Sequence, residues 1–177
     1  MGEAYWPRSI RSGTAGKKRI SSFEYIARST YLRPRDFVKY LQACAQEAVQ
    51  GDKKIRSGII RKVDKAFSIY LKDELVDELF AILPDITVIF DVISQLRKWN
   101  FSIGDFTRLY EAQLKRGNLE SKRDVGFVLQ ILFLFSVIGN TPRSGLYFFR
   151  YINRDARLNF NERLVVHRGL FKALQII

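Results

Sequence analysis

The chain has 177 residues, 47% of them hydrophobic, which suits one medium domain or two small ones with a real core and excludes a disordered basic tail. The formal net charge of +12 favours a polyanionic partner, with nucleic acid ahead of an anionic membrane surface. The single cysteine, Cys44, excludes an internal disulfide and is typical of a protein in the reducing cytoplasm.

The sequence contains no candidate for a membrane-spanning or secretory segment. The first thirty residues lack the apolar core of a signal peptide. The longest apolar stretch, residues 125–138, is interrupted by Gln130 and Ser136 and is too short to cross a bilayer. We therefore expect a cytoplasmic protein without a membrane partner.

An N-terminal arm and a helical region are predicted before residue 85. Residues 1–20 are rich in Gly, Ser and basic side chains, which predicts a basic flexible arm. Pro34 is well placed in the first turn of a helix. A long amphipathic helix is predicted from residue 57 to residue 83, where Pro84 ends it. We place a domain boundary here, so that residues 21–84 form a helical region.

Residues 85–177 have the length and the order of elements expected of a winged helix. Ser102 is predicted to cap one of its helices. Three helices and then two β-like runs are predicted in chain order: helices at 85–98, 103–116 and 121–138, and strands at 146–151 and 163–167. The predicted fold class is mainly α, with a helical N-terminal half packed on a C-terminal winged helix-turn-helix that carries a small β-hairpin wing.

Basic side chains are concentrated in the last part of the chain, where residues 121–177 hold nine Lys or Arg against three acids. A rigid helix followed by a basic hairpin is typical of a DNA-contacting winged helix. The predicted nucleic-acid contacts lie in the wing and just before the third helix: Lys122, Arg123, Arg143, Arg150, Arg154, Arg157 and Arg163. Basic side chains nearer the N-terminus are candidates for accessory contacts: Lys17, Lys18, Arg19, Arg33 and Arg35. The favoured interpretations here are structural, a helix start for Arg33 and Arg35 and a solubilising arm for residues 17–19.

The third predicted helix offers few groups that could recognise bases. Beyond its first residues it has only Gln130 and Ser136 as polar side chains, whereas a base-reading helix presents several Arg, Asn or Gln. The helix is therefore interpreted as mostly core. Any DNA binding should be led by phosphate contacts and be weakly sequence-specific.

No set of residues in the chain predicts catalysis, a cofactor or a metal ion. His167 is the only histidine and cannot form a zinc site alone, so helix capping or packing is favoured. Cys44 is interpreted as a buried small residue. Asp85 and Glu120 imitate a nuclease motif, but that chemistry needs carboxylates on adjacent strands around Mg²⁺. We expect a protein that is not an enzyme.

Two pairs of sequence runs resemble a known family. The first pair is RSTYLRPRDF at 28–37 and KAFSIYLKDELVDEL at 65–79, and the second is ARLN at 156–159 and VHRGLFKAL at 166–174. Together they are similar to the region downstream of the ATPase core in bacterial and phage P-loop ATPases related to the STAND and KAP-type NTPases. Many members of that family occur in antiphage-defence contexts. The resemblance implies a module of a larger, antiphage-defence complex.

The nucleotide-binding core of this family should precede the LRPRD run at 32–36, and we expect it to be missing from this chain. Residues 12–18 look like a fragment of a P-loop, but the first glycine of GxxxxGK[ST] would fall at Arg11. Lys18 also replaces the Ser or Thr that the motif requires. ATP hydrolysis is therefore not expected, and the resemblance implies that the catalytic part is another domain or chain.

Two functions from different classes follow from this sequence. The first is a non-catalytic nucleic-acid-binding module, with DNA favoured and RNA or a hybrid left open. The alternative is a protein-interaction adaptor that docks an ATPase or effector through the winged helix. Salt dependence distinguishes them, because phosphate binding weakens steeply with salt and an apolar interface does not.

Overall fold

The computed structural model describes residues 9–12, 18–51, 54–142 and 146–176, with side chains from Ile20 onward. The chain divides into two units, Met1–Tyr70 and Leu71–Ile177, and the division falls inside a long helix. The described elements are mainly helical, with one small three-stranded sheet. The domain boundary predicted at Pro84 stays a prediction.

The first unit begins with two paired strands and continues with helices. Its elements are β1 (Ser9–Ser12), β2 (Lys18–Ser21), α1 (Ser22–Ala27), α2 (Pro34–Gln50) and the first part of α3 (Ser57–Phe80). The two strands pair antiparallel, with Ile10 opposite Ile20, inside what we predicted as an arm. The rest of that predicted arm, residues 1–8 and 13–17, lies outside the described residues.

A tyrosine–aspartate cluster joins the helices of the first unit. The hydroxyl groups of Tyr25 on α1 and Tyr40 on α2 both contact the carboxylate of Asp64 on α3. The ring centroids of Tyr40 and Phe67 are 4.9 Å apart. Cys44 lies buried on the same side of α2, as predicted, and burial, together with the charge of Asp64, raises the pKa of its thiol to about 12. The thiol is therefore a packing group.

The predicted starts of α2 and α3 are confirmed. Pro34 occupies the first turn of α2, where its missing N–H is not needed. The helix α3 starts at Ser57 as predicted but ends at Phe80, three residues before the predicted end. The amides of Ile82 and Leu83 both donate to the Leu79 carbonyl, so the chain turns there and buries Leu83.

The second unit contains a three-stranded sheet and the later helices. After the end of α3 its elements are α4 (Ile86–Gln95), β3 (Asn100–Phe101), α5 (Ile103–Lys115), α6 (Val125–Leu134), β4 (Ile138–Thr141), β5 (Arg163–Val166) and a 3-10 turn (Arg168–Leu170). The sheet order is β3–β5–β4, and both pairings are antiparallel. Fully buried side chains such as Phe101, Phe106 and Leu164 form the core between sheet and helices.

The predicted strand at residues 146–151 is wrong, since only Phe148 forms an isolated bridge there, with Asn140. The strand β5 pairs instead with β4 and β3, and β4 begins at the last residue of the predicted third helix. The helix α6 ends early because the chain leaves helical geometry at Ser136, whose φ is +59°. The following Gly-Asn-Thr sequence is typical of a turn, and only its long-range pairing with β5 makes it a strand.

The other helices of the second unit are shorter than predicted. The sequence predicts a helix over 85–98, but α4 ends at Gln95, and Asn100 pairs in β3. Ser102 caps α5 as predicted: its hydroxyl accepts from the Asp105 amide at 3.1 Å, and the Asp105 carboxylate bonds back. In the part of the chain that the structure describes, no helix is long and apolar enough to cross a membrane.

Candidate nucleic-acid interface

The connection between β4 and β5 is fastened to β4 by one buried side chain. Asn140 is 2% exposed, its Nδ2 donates to the Asn159 carbonyl at 2.9 Å, and its Oδ1 accepts from the Asn159 amide at 2.9 Å. Its backbone exchanges two hydrogen bonds with Phe148. We call residues 146–162 the wing. Asn140 therefore holds both the outgoing and the returning segment of the wing.

Arg150 closes the turn of the wing rather than facing solvent freely. Its Nη1 donates to the Ala156 carbonyl at 2.9 Å. Inside this loop the Asp155 amide donates to the Asn153 side chain, and the Tyr151 amide donates to the Ser136 hydroxyl, each at 2.9 Å. The predicted phosphate contact at Arg150 is thus also a structural residue of the wing.

Arg163 links two strands of the sheet. Its Nη2 donates to the Asn100 carbonyl at 3.1 Å, and its Nε donates to the Asn100 side-chain oxygen. Since Asn100 carries no charge, these bonds orient the guanidinium without neutralising it. Arg163 remains exposed at the start of β5.

Besides Arg163, the exposed cations of the candidate site are Lys122, Arg123, Arg154 and Arg157. The Arg123 guanidinium lies over the Phe127 ring at 5.4 Å, and the Tyr110 hydroxyl donates to the Arg123 carbonyl at 2.8 Å. Among the described residues, the side chains of Lys122, Arg154 and Arg157 have no hydrogen-bond or ion-pair partner. Their charge is available to a ligand.

A close approach between the wing and α6 brings together the two segments that carry the exposed cations. A Cβ at Gly126, in the first turn of α6, would lie 3.9 Å from the Phe160 ring. Arg157 is three residues before Phe160, and Lys122 and Arg123 immediately precede the N-cap of α6. The returning segment of the wing and the start of α6 therefore lie close together at Phe160 and Gly126.

The sequence predicts that the third helix is mostly core, and four of the ten residues of α6 are buried. Val128, Leu129, Leu132 and Phe133 are buried, and Gln130 is the one exposed side chain of this helix that could hydrogen-bond a base edge. Asp124 caps the helix by accepting from the Phe127 amide at 3.2 Å. The exposed face of α6 therefore offers a single side-chain amide.

The remaining predicted contacts are spread over other parts of the chain. Arg33 and Arg35 are exposed at the start of α2, with the Arg33 guanidinium 5.4 Å from the Tyr31 ring centroid. Lys18 and Arg19 lie in β2, where only the backbone is described. Lys17 and Arg143 lie outside the described residues.

Asp85 and Glu120, which imitate a nuclease motif, lie close together, but the contact is a structural one between the Asp85 carboxylate and backbone amides. The Asp85 carboxylate accepts from the amides of Glu120, at 3.1 Å, and Ser121, at 2.9 Å, and from the Ser121 hydroxyl. Burial by itself would raise the pKa of Asp85. These hydrogen bonds together have the larger effect, so the pKa of Asp85 lies below its usual value. Across the described ranges, no group of three or more His, Cys, Asp or Glu is placed to hold a metal ion.

His167 is a buried capping residue, in agreement with the prediction. Its Nδ1 accepts from the Gly169 amide at 3.2 Å at the start of the 3-10 turn. Its ring packs edge-on against Phe149 and Tyr151, at centroid distances of 5.5 and 5.3 Å. The histidine thus ties the end of β5 to the wing.

Sequence reasoning missed Asn140, which holds the wing in place. Its neighbours Gly139, Thr141 and Pro142 are typical of a surface turn, so no local signal distinguishes a buried strand residue. The bonds to Asn159 span nineteen residues and depend on the folded wing.

A protein-family model matches the N-terminal part of the chain. Residues 3–76 match the model of the FunZ-associated C-terminal helical domain. This match is consistent with the C-terminal helical region of a larger protein. No curated protein and no solved structure is detectably similar to the chain. The predicted relation to STAND and KAP-type ATPases stays a prediction.

Proposed function

We propose that the second unit is a winged helix that binds nucleic acid through its phosphates and has no catalytic role of its own. The order α4–β3–α5–α6–β4–β5, with the sheet order β3–β5–β4, supports this assignment. In it, α5 and α6 are the helix-turn-helix, and residues 146–162 are the wing. The chain would act in the cytoplasm, within a larger antiphage-defence complex whose catalytic part is separate.

The observation that carries the proposal is the set of exposed cations at the start of α6 and on the wing: Lys122, Arg123, Arg154 and Arg157. Arg150 and Asn140 hold the wing in one conformation, so these cations are presented on a prepared surface. Because α6 exposes few polar groups, binding would depend on the backbone phosphates and discriminate weakly between sequences. We favour DNA as the ligand.

The proposal is tested by neutralising Arg154 and Arg157 together, as Arg154→Gln/Arg157→Gln. With four phosphate contacts, the affinity for a short DNA duplex should fall about 100-fold between 0.05 and 0.2 M salt. Each lost contact should reduce the slope of log affinity against log salt by about 1. The affinity of the double variant for the duplex should therefore fall only about 10-fold over the same salt range. Fluorescence anisotropy with a labelled duplex measures both slopes.

A matched control keeps the net charge equal to that of the test variant. Lys54 and Lys65 are exposed in the first unit, and Lys54→Gln/Lys65→Gln also removes two positive charges. This control should keep the wild-type slope. Equal slopes for the two double variants would mean that the wing does not bind phosphates.

A protein-docking function is the second candidate, and it is favoured by exposed apolar side chains in α6 and the wing. Leu134 at the end of α6 is 50% exposed, and Ile152 and Phe160 in the wing are 59% and 45% exposed. Burial of such groups against an ATPase or effector would be insensitive to salt. No binding of the chain to duplex or single-stranded nucleic acid at 0.05 M salt would favour this adaptor function.

A further inference from the structure

An exposed pair of aromatic rings lies on the sheet of the second unit. Trp99, immediately before β3, and Tyr147, in the wing, have ring centroids 6.1 Å apart and an interplanar angle of 86°. Trp99 is 38% exposed and Tyr147 is 49% exposed. Edge-to-face packing fixes the orientation of both rings while leaving a large part of their surface to solvent.

Both rings are carried by segments of the chain that hydrogen bonds hold in place. The Trp99 carbonyl accepts from the Val166 amide of β5 at 2.8 Å. Phe148, next to Tyr147, exchanges backbone hydrogen bonds with Asn140 of β4. The pair is therefore prepared before any ligand arrives, which lowers the entropy lost on binding.

Three basic side chains belong to segments that adjoin Trp99. Arg97 and Lys98 directly precede Trp99 and are exposed, and Arg163 bonds to Asn100, which directly follows it. In the described part of the chain, none of these three cations forms a salt bridge. Asp105 lies within electrostatic reach of Lys98, and its carboxylate accepts hydrogen bonds from Ser102. Aromatic faces within a basic surface match bases carried on a phosphate backbone.

We propose that Trp99 and Tyr147 form a stacking platform for unpaired bases, so that the preferred ligand is single-stranded nucleic acid. The cations Arg97, Lys98 and Arg163 would bind the adjoining phosphates. A duplex cannot use the platform, because its bases already stack on one another and are closed to the rings. This inference rests on the proposed nucleic-acid binding and specifies its substrate class.

The test compares single-stranded and duplex DNA of equal length with Trp99→Ala and Tyr147→Ala. Each substitution should weaken binding of the single strand about 5- to 150-fold and leave the affinity for the duplex unchanged. Trp99→Phe keeps a stacking face and should retain most of the affinity. Phe80→Ala removes another exposed aromatic ring, 60% exposed at the end of α3, and should have no effect. Thermal unfolding of each variant shows whether it is folded.

Tryptophan fluorescence gives a direct readout of stacking. The chain has two tryptophans, so in a Trp6→Phe background Trp99 is the only one. Adding the single strand should quench its emission, and an oligonucleotide of abasic sites, which offers phosphates without bases, should not.

The outcomes separate this inference from the proposed function. Wild-type binding to the duplex with unchanged single-strand affinity in the alanine variants would overturn the platform alone. An equal loss on both ligands, or equal quenching by the abasic strand, would also overturn it. Failure of the wild type to bind either ligand would overturn both. Loss of self-association in Trp99→Ala, without any effect on nucleic acid, would assign the rings to a contact between protein copies.

Discussion

At the scale of single residues, Gly139 lets the wing cross β4 at close range. A Cβ at this position would lie 2.6 Å from the Phe148 carbonyl oxygen and 2.8 Å from Cδ1 of Phe149. Neither atom is the free end of a flexible side chain, since Phe148 pairs with Asn140 and Phe149 packs against His167. A side chain here would push the start of the wing away from the sheet.

We therefore predict that Gly139→Ala destabilises the protein by about 1–3 kcal/mol, as overpacking does in cores. Gly58 is the matched control, because it lies in α3 and a Cβ there meets nothing within 4 Å. Gly58→Ala should be neutral or stabilise by up to about 1 kcal/mol. Urea denaturation measures both. Equal stability of the two variants would contradict the close crossing.

At the scale of elements, Asp85 joins the start of α4 to the segment before α6. The residue occupies the N-cap position of α4 but makes no capping bond there, and instead accepts the amides of Glu120 and Ser121. These bonds favour the ionised carboxylate and lower its pKa in the folded protein. The segment that carries Lys122 and Arg123 is thereby held to the helical core.

The lowered pKa predicts a dependence of stability on pH. A carboxyl group with a folded pKa below its unfolded value of about 3.9 stabilises the protein fully above that value. This contribution is lost as the pH falls through the folded pKa. Asp85→Asn should therefore cost about 1–3 kcal/mol at pH 7 and progressively less below pH 4. Urea denaturation at several pH values measures the difference in free energy of unfolding between the wild type and Asp85→Asn. A difference that does not change with pH would contradict the lowered pKa.

Elements were predictable where their signals are local. Ser102 and Asp105 cap α5 within four residues, and Pro34 starts α2, so both helices began where expected. The strand β4 was not predictable, because its residues are typical of a turn and its partner lies more than twenty residues away. The same holds for the candidate site, where the sequence identifies the arginines but not that Arg150 is bound within the wing.

At the scale of the whole molecule, the net charge of +12 makes the folded state repel itself. Salt screens this repulsion, so we predict that Tm rises by about 2–4 °C between 0.05 and 0.2 M salt, the effect of roughly 1 kcal/mol. Binding of nucleic acid should weaken over the same range. Differential scanning fluorimetry measures the first effect, and Arg154→Gln/Arg157→Gln should show a smaller rise. A fall of Tm over this range would mean that attractive ion pairs dominate.

The sequence by itself determined the mainly helical class, the starts of α2, α3 and α5, and the excess of basic side chains near the C-terminus. These depend on periodicity, capping residues and composition, which act over a few residues. Only the tertiary structure decided that β4 pairs with β5, that Asn140 fastens the wing, and that Trp99 meets Tyr147. Such contacts join residues distant in the chain, and their free energy exists only once the intervening segments have folded.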